Sequence, residues 1–563
     1  MTPSLLLAVA LAAPPAAPTA AIRVDQVGYP ASAPKVAMVV APDAAATFTV
    51  HRVGNGRQVF AGQLSAPNED ADSGDLVRRA DFSALKAIGR YELRVAGVGR
   101  SVPFEIGKAP YRPLLRLAAR SYYGQRCGTA VDLGPELPGY HHPACHLDGA
   151  FHASSGRSGV RPPSGGWHDA GDYGRYVVNS GISTGTLLWT WELYGKRLGR
   201  LELGIPESGD RTPDLLDEVR WNLEWMLSMQ DDDGGVWHKQ TSEQFAGFVE
   251  PHVDSSVSYA IGTGSAPFKS SCASADFAAV MAIAGRVYRG YDAAFAERSL
   301  AAAREAWSWL ETHPNVTFRN PTGVGTGEYG DGDCSDERLW AAAELWRTAR
   351  DPEAHRFFLD HAAQAEAAIR ASSPPGWPQV GALAAWTYAL DGDGDATRTA
   401  AIRQRSLDAA DEIATRARGH AYRIPLTRAD YIWGSNGVAA NYGLQLLVAN
   451  ELQPRRDYVD AAREVLHYLL GRNTFSLSWV TGVGTSSVRH PHHRPSAADA
   501  NAAPWPGLLA GGPNQHRNDD ALRALPADLP PARVYVDDVD SYAGNEVAIN
   551  WNAPLVFLVA GLN

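Results

Sequence analysis

At 563 residues the chain exceeds one core of ordinary size, so two or more domains are expected, and 45% hydrophobic with 20% charged residues is the composition of a folded soluble protein. A formal charge of −11, a pI near 5.9 and the lack of any Lys/Arg cluster argue against nucleic acid or an anionic membrane as partner and favour a neutral ligand. The 16 Trp, 21 Tyr and 15 Phe supply flat faces of the kind on which sugar rings stack.

Residues 1–21 read as an export signal. The apolar run from Leu5 to Ala13 is too short to span a bilayer, and the small residues around Pro18-Thr19-Ala20 suit cleavage, although no Lys or Arg precedes the run. No other apolar stretch is long enough for a membrane helix, so the expected location is extracellular or periplasmic, with no membrane partner.

From 22 to 107 apolar and polar positions alternate in short bursts, at 35–40, 47–50 and 90–95, separated by Gly, Pro, Asn and Asp. Strands at this spacing predict a β-sandwich of roughly 85 residues. From 108 to 563 the period becomes helical, with Ala- and Leu-rich segments at 114–123, 215–229, 273–288, 293–310, 337–349 and 355–371, then at 380–390, 406–418, 436–450, 458–470 and 545–561. Roughly a dozen such segments, joined by loops rich in Gly, Pro and Trp, suit a closed double ring of helices; a solenoid would need a repeat of fixed length, which the chain lacks.

Three segments carry chemistry. In Gly165 to Tyr176, a loop entering a helix, Asp169 and Asp172 stand three apart, a spacing that at a helix N-terminus turns both carboxylates to one side and keeps them ionised. Alone, such a pair is more often an ordinary N-cap. Near the C-terminus, Glu546 opens an apolar helix among aromatic residues, a setting that raises a carboxyl pKa and permits proton donation. Between them, Ser478 to Arg494 crowds three His and two Arg into a Gly- and Pro-bearing loop suited to a polyhydroxyl ligand.

Together these segments resemble the glycoside hydrolase family 9 enzymes, the cellulase family built on an (α/α)6 barrel, from about residue 110 onward. Tyr535 to Ala553 fits the family's C-terminal signature at every constrained position, the His-rich stretch fits its other signature except at Ser486, and Gly507 to Asn514 is similar to a further family stretch. The opening Ile22 to Pro30 resembles the first strand of the immunoglobulin-like module that precedes many bacterial members. The resemblance implies Glu546 as general acid, Asp172 as the base that activates water, and Asp169 as its helper. It places His492 and Arg494 on the leaving-group side and Trp551, where relatives often have Tyr, on the other; Trp433 reads as a further stacking platform. Because the family inverts, the two carboxyl groups are expected ~6.5–9.5 Å apart.

Of the four Cys, Cys127 and Cys145 form a Cys₂His₂ set with His146 and His168. Spacing alone favours a disulfide for two Cys of an exported protein; the resemblance to the subgroup with an immunoglobulin-like module implies a structural zinc instead, closed by four ligands. Cys272 and Cys334 are either a disulfide or two separate buried thiols, and separate thiols are the expectation. The resemblance also implies calcium, with Asp336 as candidate ligand and Asp292 beside it, whereas Asp391-Gly392-Asp393-Gly394-Asp395 lacks the Gly and Glu of a calcium loop and reads as a solvated turn. The expected activity is an endo-β-1,4-glucanase acting as a monomer on β-glucan. The alternative is an exo-acting cellodextrinase, β-glucosidase or exo-β-glucosaminidase on the same fold, with 240–271 forming a wall across the cleft.

Overall fold

The computed structural model describes residues 17–42, 44–161, 165–199 and 201–563. Residues 1–16, most of the expected export signal, lie outside the described residues. Residues 17–21 pack against the sandwich: Pro18 bridges to Arg100, and the Thr19 amide donates to the Arg100 carbonyl at 2.9 Å. So short an extension, with a proline at its second position, carries no alternation that marks a strand.

The N-terminal part is a two-sheet sandwich. One sheet runs in the order β1 (Ile22–Arg23), β3 (Val36–Val39), β7 (Asp75–Asp81), β6 (Asn68–Asp70). The other runs β2 (Gly28–Pro30), β10 (Phe104–Gly107), β8 (Gly89–Val95), β4 (Thr47–Arg52), β5 (Gln58–Gln63), with β9 (Gly99–Arg100) beside β8. Period-2 alternation explains the core: Tyr91, Leu93 and Val95 of β8 and Phe48 and Val50 of β4 all point into one apolar cluster.

Twelve long helices follow among the described residues: α1 (Arg112–Gly124), α2 (Val177–Leu198), α3 (Asp214–Ser228), α4 (Ser271–Val287), α5 (Ala293–Thr312) and α6 (Ser335–Ala349) lead. Next come α7 (Pro352–Ala368), α8 (Gly381–Asp391), α9 (Ala396–Gly419), α10 (Ser435–Leu452), α11 (Arg456–Leu469) and α12 (Ile549–Leu562). The even-numbered helices touch in order and α12 returns to α2, closing an inner ring; the odd-numbered ones pack outside it. The fold is therefore the expected immunoglobulin-like sandwich followed by an (α/α)6 barrel. Inner helices such as α12, apolar on every side, are those a ring centre requires. Helix α2 escaped the sequence reading because burial along nearly its whole length leaves no polar stripe, and its first turns carry Gly, Ser and Thr.

Two contacts correct or sharpen expectations. Cys272 and Cys334 form a disulfide, not separate thiols, because α4 and α6 lie side by side with their N-termini at the same end, bringing the two Cα atoms to 4.7 Å. Gln26 of the sandwich accepts from the Thr485 and Ser486 amides at 2.9 and 2.8 Å and donates to the Ser486 carbonyl at 3.1 Å. Ser486 thus joins the sandwich through its backbone, and the sandwich braces the His-rich loop. Among the described residues no helix is long and apolar enough to cross a membrane.

Candidate active site

The loop bearing Asp169 and Asp172 is fixed by its backbone. The His168 amide donates to the Gln125 carbonyl at 2.7 Å, the Asp169 amide to that of Gly174 at 2.9 Å, and the Ile549 amide of α12 to the Asp169 carbonyl at 2.9 Å. Gly171 is required by close approach, since a Cβ there would meet the His492 carbonyl at 2.1 Å. The helix expected after this loop begins only at Val177, with Tyr176 as its N-cap. The carboxylates are consequently held by side chains instead of by a first helical turn. Asp169 accepts from Asn179 Nδ2 and from the Tyr329 hydroxyl, both at 2.6 Å; Asp172 accepts from the Tyr176 hydroxyl at 2.8 Å and the Gly174 amide at 3.0 Å. Burial, with the neighbouring Asp172 charge, pushes Asp169 up to about 8, so burial overrides the ionising effect expected of a helix dipole.

Glu546 arrives from the other end of the chain, between the short helix Tyr542–Asn545 and α12. Its carbonyl accepts from the Gly511 amide at 2.8 Å, and the His492 amide donates to the preceding Asn545 carbonyl at 2.9 Å, so the His-rich and C-terminal segments meet as a bridge. Burial, then the charges of Asp172 and Asp169, drive the Glu546 carboxyl well above its ordinary value, opposed by the Gly171 amide. A carboxyl so placed favours its protonated form, as a proton donor must.

All three carboxyl groups line one cavity of about 740 Å³. Its lining carries the rings of Tyr176, Phe245, Tyr329, Trp377, Trp433, Tyr542 and Trp551, together with His492 and Arg494. Trp433 is 43% exposed, unlike a core tryptophan, and its ring centre lies 5.4 Å from that of Tyr542. Trp551 rests in a glycine cradle, because a Cβ at Gly437 would come within 2.4 Å of its ring. His492 is fixed by Nδ1 against the Val539 carbonyl at 2.6 Å. Arg494 lines the cavity too, but its Nε and Nη1 donate to the Ala246 and Gly171 carbonyls at 2.8 and 2.7 Å. Much of its donor capacity therefore holds two loops together.

Several residues at this site were not foreseen. The buried Lys239 donates to Asn320 Oδ1 at 2.7 Å, Thr326 Oγ1 at 3.0 Å and the Gly327 carbonyl at 2.8 Å, and burial draws its ammonium down to about 7. It thereby fixes the loop whose Gly327 amide donates to the Tyr176 hydroxyl at 3.2 Å and whose Tyr329 reaches Asp169. A tyrosine four residues past Asp172 was a usable signal for Tyr176; nothing in the sequence marked Tyr329, 160 residues from its partner.

Behind the loop, ligand atoms of Cys127, Cys145, His146 and His168 all lie within 4.8 Å of one another, the only such group among the described residues. Both Cys are free thiols, and the buried Nδ1 atoms of His146 and His168 lack hydrogen-bond partners, so the donor set fits a tetrahedral metal. His146 Nε2 faces Asp254 Oδ2 at 3.1 Å, an outer carboxylate that orients the ring. The expected Asp292 and Asp336 site is not formed. Asp292 caps α5, accepting from the Phe295 amide at 3.0 Å and pairing with Arg220 at 2.9 Å. It follows the end of α4, whereas Asp336 lies near Cys334 at the start of that helix, about 25 Å away for 17 residues. Asp336 accepts from the Val380 and Gly381 amides. In the 391–395 turn, Arg350 pairs with Asp391 and, at 2.7 Å, with Asp393, while Asp395 caps α9, as suits a solvated turn.

Comparison with known proteins places this geometry. The family model described as glycosyl hydrolase family 9 matches residues 111–559, and that of the cellulase N-terminal ig-like domain matches 17–100. The chain is 36% identical to endoglucanase D of Acetivibrio thermocellus, over 96% of this chain and 83% of that one. It is also 36% identical to a xyloglucan-specific endo-β-1,4-glucanase of Bacteroides ovatus (97% and 94% covered) and 34% to a cellodextrinase of Butyrivibrio fibrisolvens (96% and 99%). Among solved structures, a metagenome-derived family 9 endoglucanase superposes with a TM-score of 0.88 at 39% identity, covering 96% of this chain and 98% of that one. A Zn-binding triple mutant of the family 9 endoglucanase J30 gives 0.87 at 35% identity, with 94% and 99% covered.

Proposed function

The chain belongs to glycosyl hydrolase family 9, a family of inverting glycoside hydrolases, and from that premise we propose that it is an endo-acting β-1,4-glucanase. The observation that carries the reading is the convergence of Asp169, Asp172 and Glu546 on one aromatic-walled cavity. In this reading Glu546, kept protonated by its surroundings, gives its proton to the glycosidic oxygen as the bond to the anomeric carbon breaks. Asp172 takes a proton from a water that attacks the opposite face, and Asp169, gripped by Asn179 and Tyr329, orients that water. His492 and Arg494 flank the leaving-group side; Trp551 and Trp433 offer stacking faces on the other.

Cys127, Cys145, His146 and His168 would hold a structural zinc, which when bound closes a four-ligand site and braces the loop of Asp169. For calcium we keep only Asp336, which adjoins the buried Glu337 in the chain. The apolar run at 5–13 and the Cys272–Cys334 disulfide both suit an exported protein.

Two measurements test the activity. Cellohexaose should be cut at internal bonds into mixed shorter products, whereas stepwise release of a single small product, or cleavage of chitosan oligomers in preference, would support the exo-acting alternatives. Proton NMR on a β-glucan should show the α-anomer first, and first accumulation of the β-anomer would contradict the assignment of Asp172 as base.

A further inference from the structure

Beside the cavity, residues 242–257 connect the paired strands Lys239–Thr241 and Ser258–Ile261 and leave an unusual amount of apolar side chain in solvent. Phe245 is 48% exposed and Phe248 40%. Exposed apolar patches of this kind mark binding surfaces when the backbone beneath them is fixed. Here the backbone is fixed at two points and a side chain adds a third. The Ala246 carbonyl accepts from Arg494 Nε at 2.8 Å, the Val249 carbonyl accepts from the Tyr173 hydroxyl at 2.6 Å, and Asp254 meets His146 at 3.1 Å.

The rings are ordered as well. The Arg494 guanidinium carbon sits 5.5 Å from the ring centres of both Phe245 and Phe248, a cation–π clamp between them. Phe248 meets His492 edge-on at 5.2 Å, His492 lies 6.0 Å from Tyr542, and Tyr542 lies 5.4 Å from Trp433. A row of rings therefore runs along the cavity from Trp433, through the segment adjoining Glu546, to the 242–257 loop. Phe245 is the member of this loop that lines the cavity itself. Its open half-ring has no protein to cover it, and the face of a pyranose ring is the matching surface in a site that takes a glucan.

We infer that Phe245 is a sugar-stacking platform that extends the cleft past His492 and Arg494 and sets the length of glucan chain the site prefers. Arg494 and Phe248 act as positioning residues behind it. The inference rests on the glucanase reading above. Failure of the wild-type protein to cut any β-1,4-glucan would defeat that reading, and the comparison below is made only between active proteins.

The test is the ratio of kcat/KM on cellohexaose to kcat/KM on the shortest cello-oligosaccharide the wild type cuts. Phe245→Ala should lower this ratio about tenfold, mainly through KM on the longer substrate, since the short one does not reach the platform. Phe245→Trp should preserve the ratio because a ring face remains. Phe245→Leu should lower it like Ala, which separates stacking from mere apolar filling. A ratio within twofold of wild type in Phe245→Ala, or full retention in Phe245→Leu, overturns the inference. A uniform loss on both substrates, leaving the ratio intact, does so too.

Discussion

Replacing Glu546 by Gln should lower kcat on unactivated β-glucan by about a thousandfold, with kcat/KM falling in parallel, because a proton donor that acts only in the transition state is lost while shape and hydrogen bonding are kept. Asp172→Asn should do the same from the other side, since the amide accepts no proton from water. Near-normal turnover of unactivated glucan by either variant would remove it from the catalytic roles. The fold provides a control with its own sign. Burial raises the Glu546 carboxyl above its ordinary 4.5, so between that value and the folded one the native chain binds a proton that the unfolded chain has released. Native stability therefore falls as pH rises through that window. Gln has no such proton, so the melting temperature of Glu546→Gln relative to wild type should climb as pH rises above the ordinary carboxyl value of 4.5. A flat difference would mean that the carboxyl is not held in its neutral form.

What could be read before the structure was known follows the physics of each signal. The sandwich and eleven of the twelve long helices announced themselves through strand alternation, a one-sided apolar stripe or a long run of apolar residues. Helix α2 did not, since burial on every side erases the periodicity that sequence reading uses. Asp169, Asp172 and Glu546 were legible because each sits in a local motif. Their supports were not. Tyr329, Asn179 and Lys239 act through contacts fixed by the closing of the ring, and the disulfide between Cys272 and Cys334 depends on two helices lying in parallel 62 residues apart in sequence. The helix dipole does not reach Asp169 for a related reason: the loop does not enter its helix until Val177, and burial then decides the protonation of this carboxyl.

Purified protein should contain about one zinc per chain, and Cys145→Ser should lower both melting temperature and turnover without changing which bonds are cut. The four donors are close enough to close a tetrahedral site, and two of their imidazole nitrogens are buried without any other partner. Without a metal those nitrogens are left without a partner, and the binding free energy would be lost from folding. The loss reaches catalysis along short paths. His168 immediately precedes Asp169, and the Tyr173 ring, next to Asp172 in sequence, packs 4.9 Å from His168 and 5.0 Å from His146. His146 also holds Asp254 of the 242–257 loop, so one bound ion would steady both the carboxylates and the cleft wall. Misplacing the attacking water by ~1 Å costs ~100-fold in rate, which sets the scale of the expected fall in kcat. Wild-type protein treated with a chelator should match the variant, and added zinc should restore only the wild type. A metal-free protein of full activity carrying a Cys127–Cys145 disulfide would overturn this account, since the aspartate loop would then be aimed by its backbone hydrogen bonds alone.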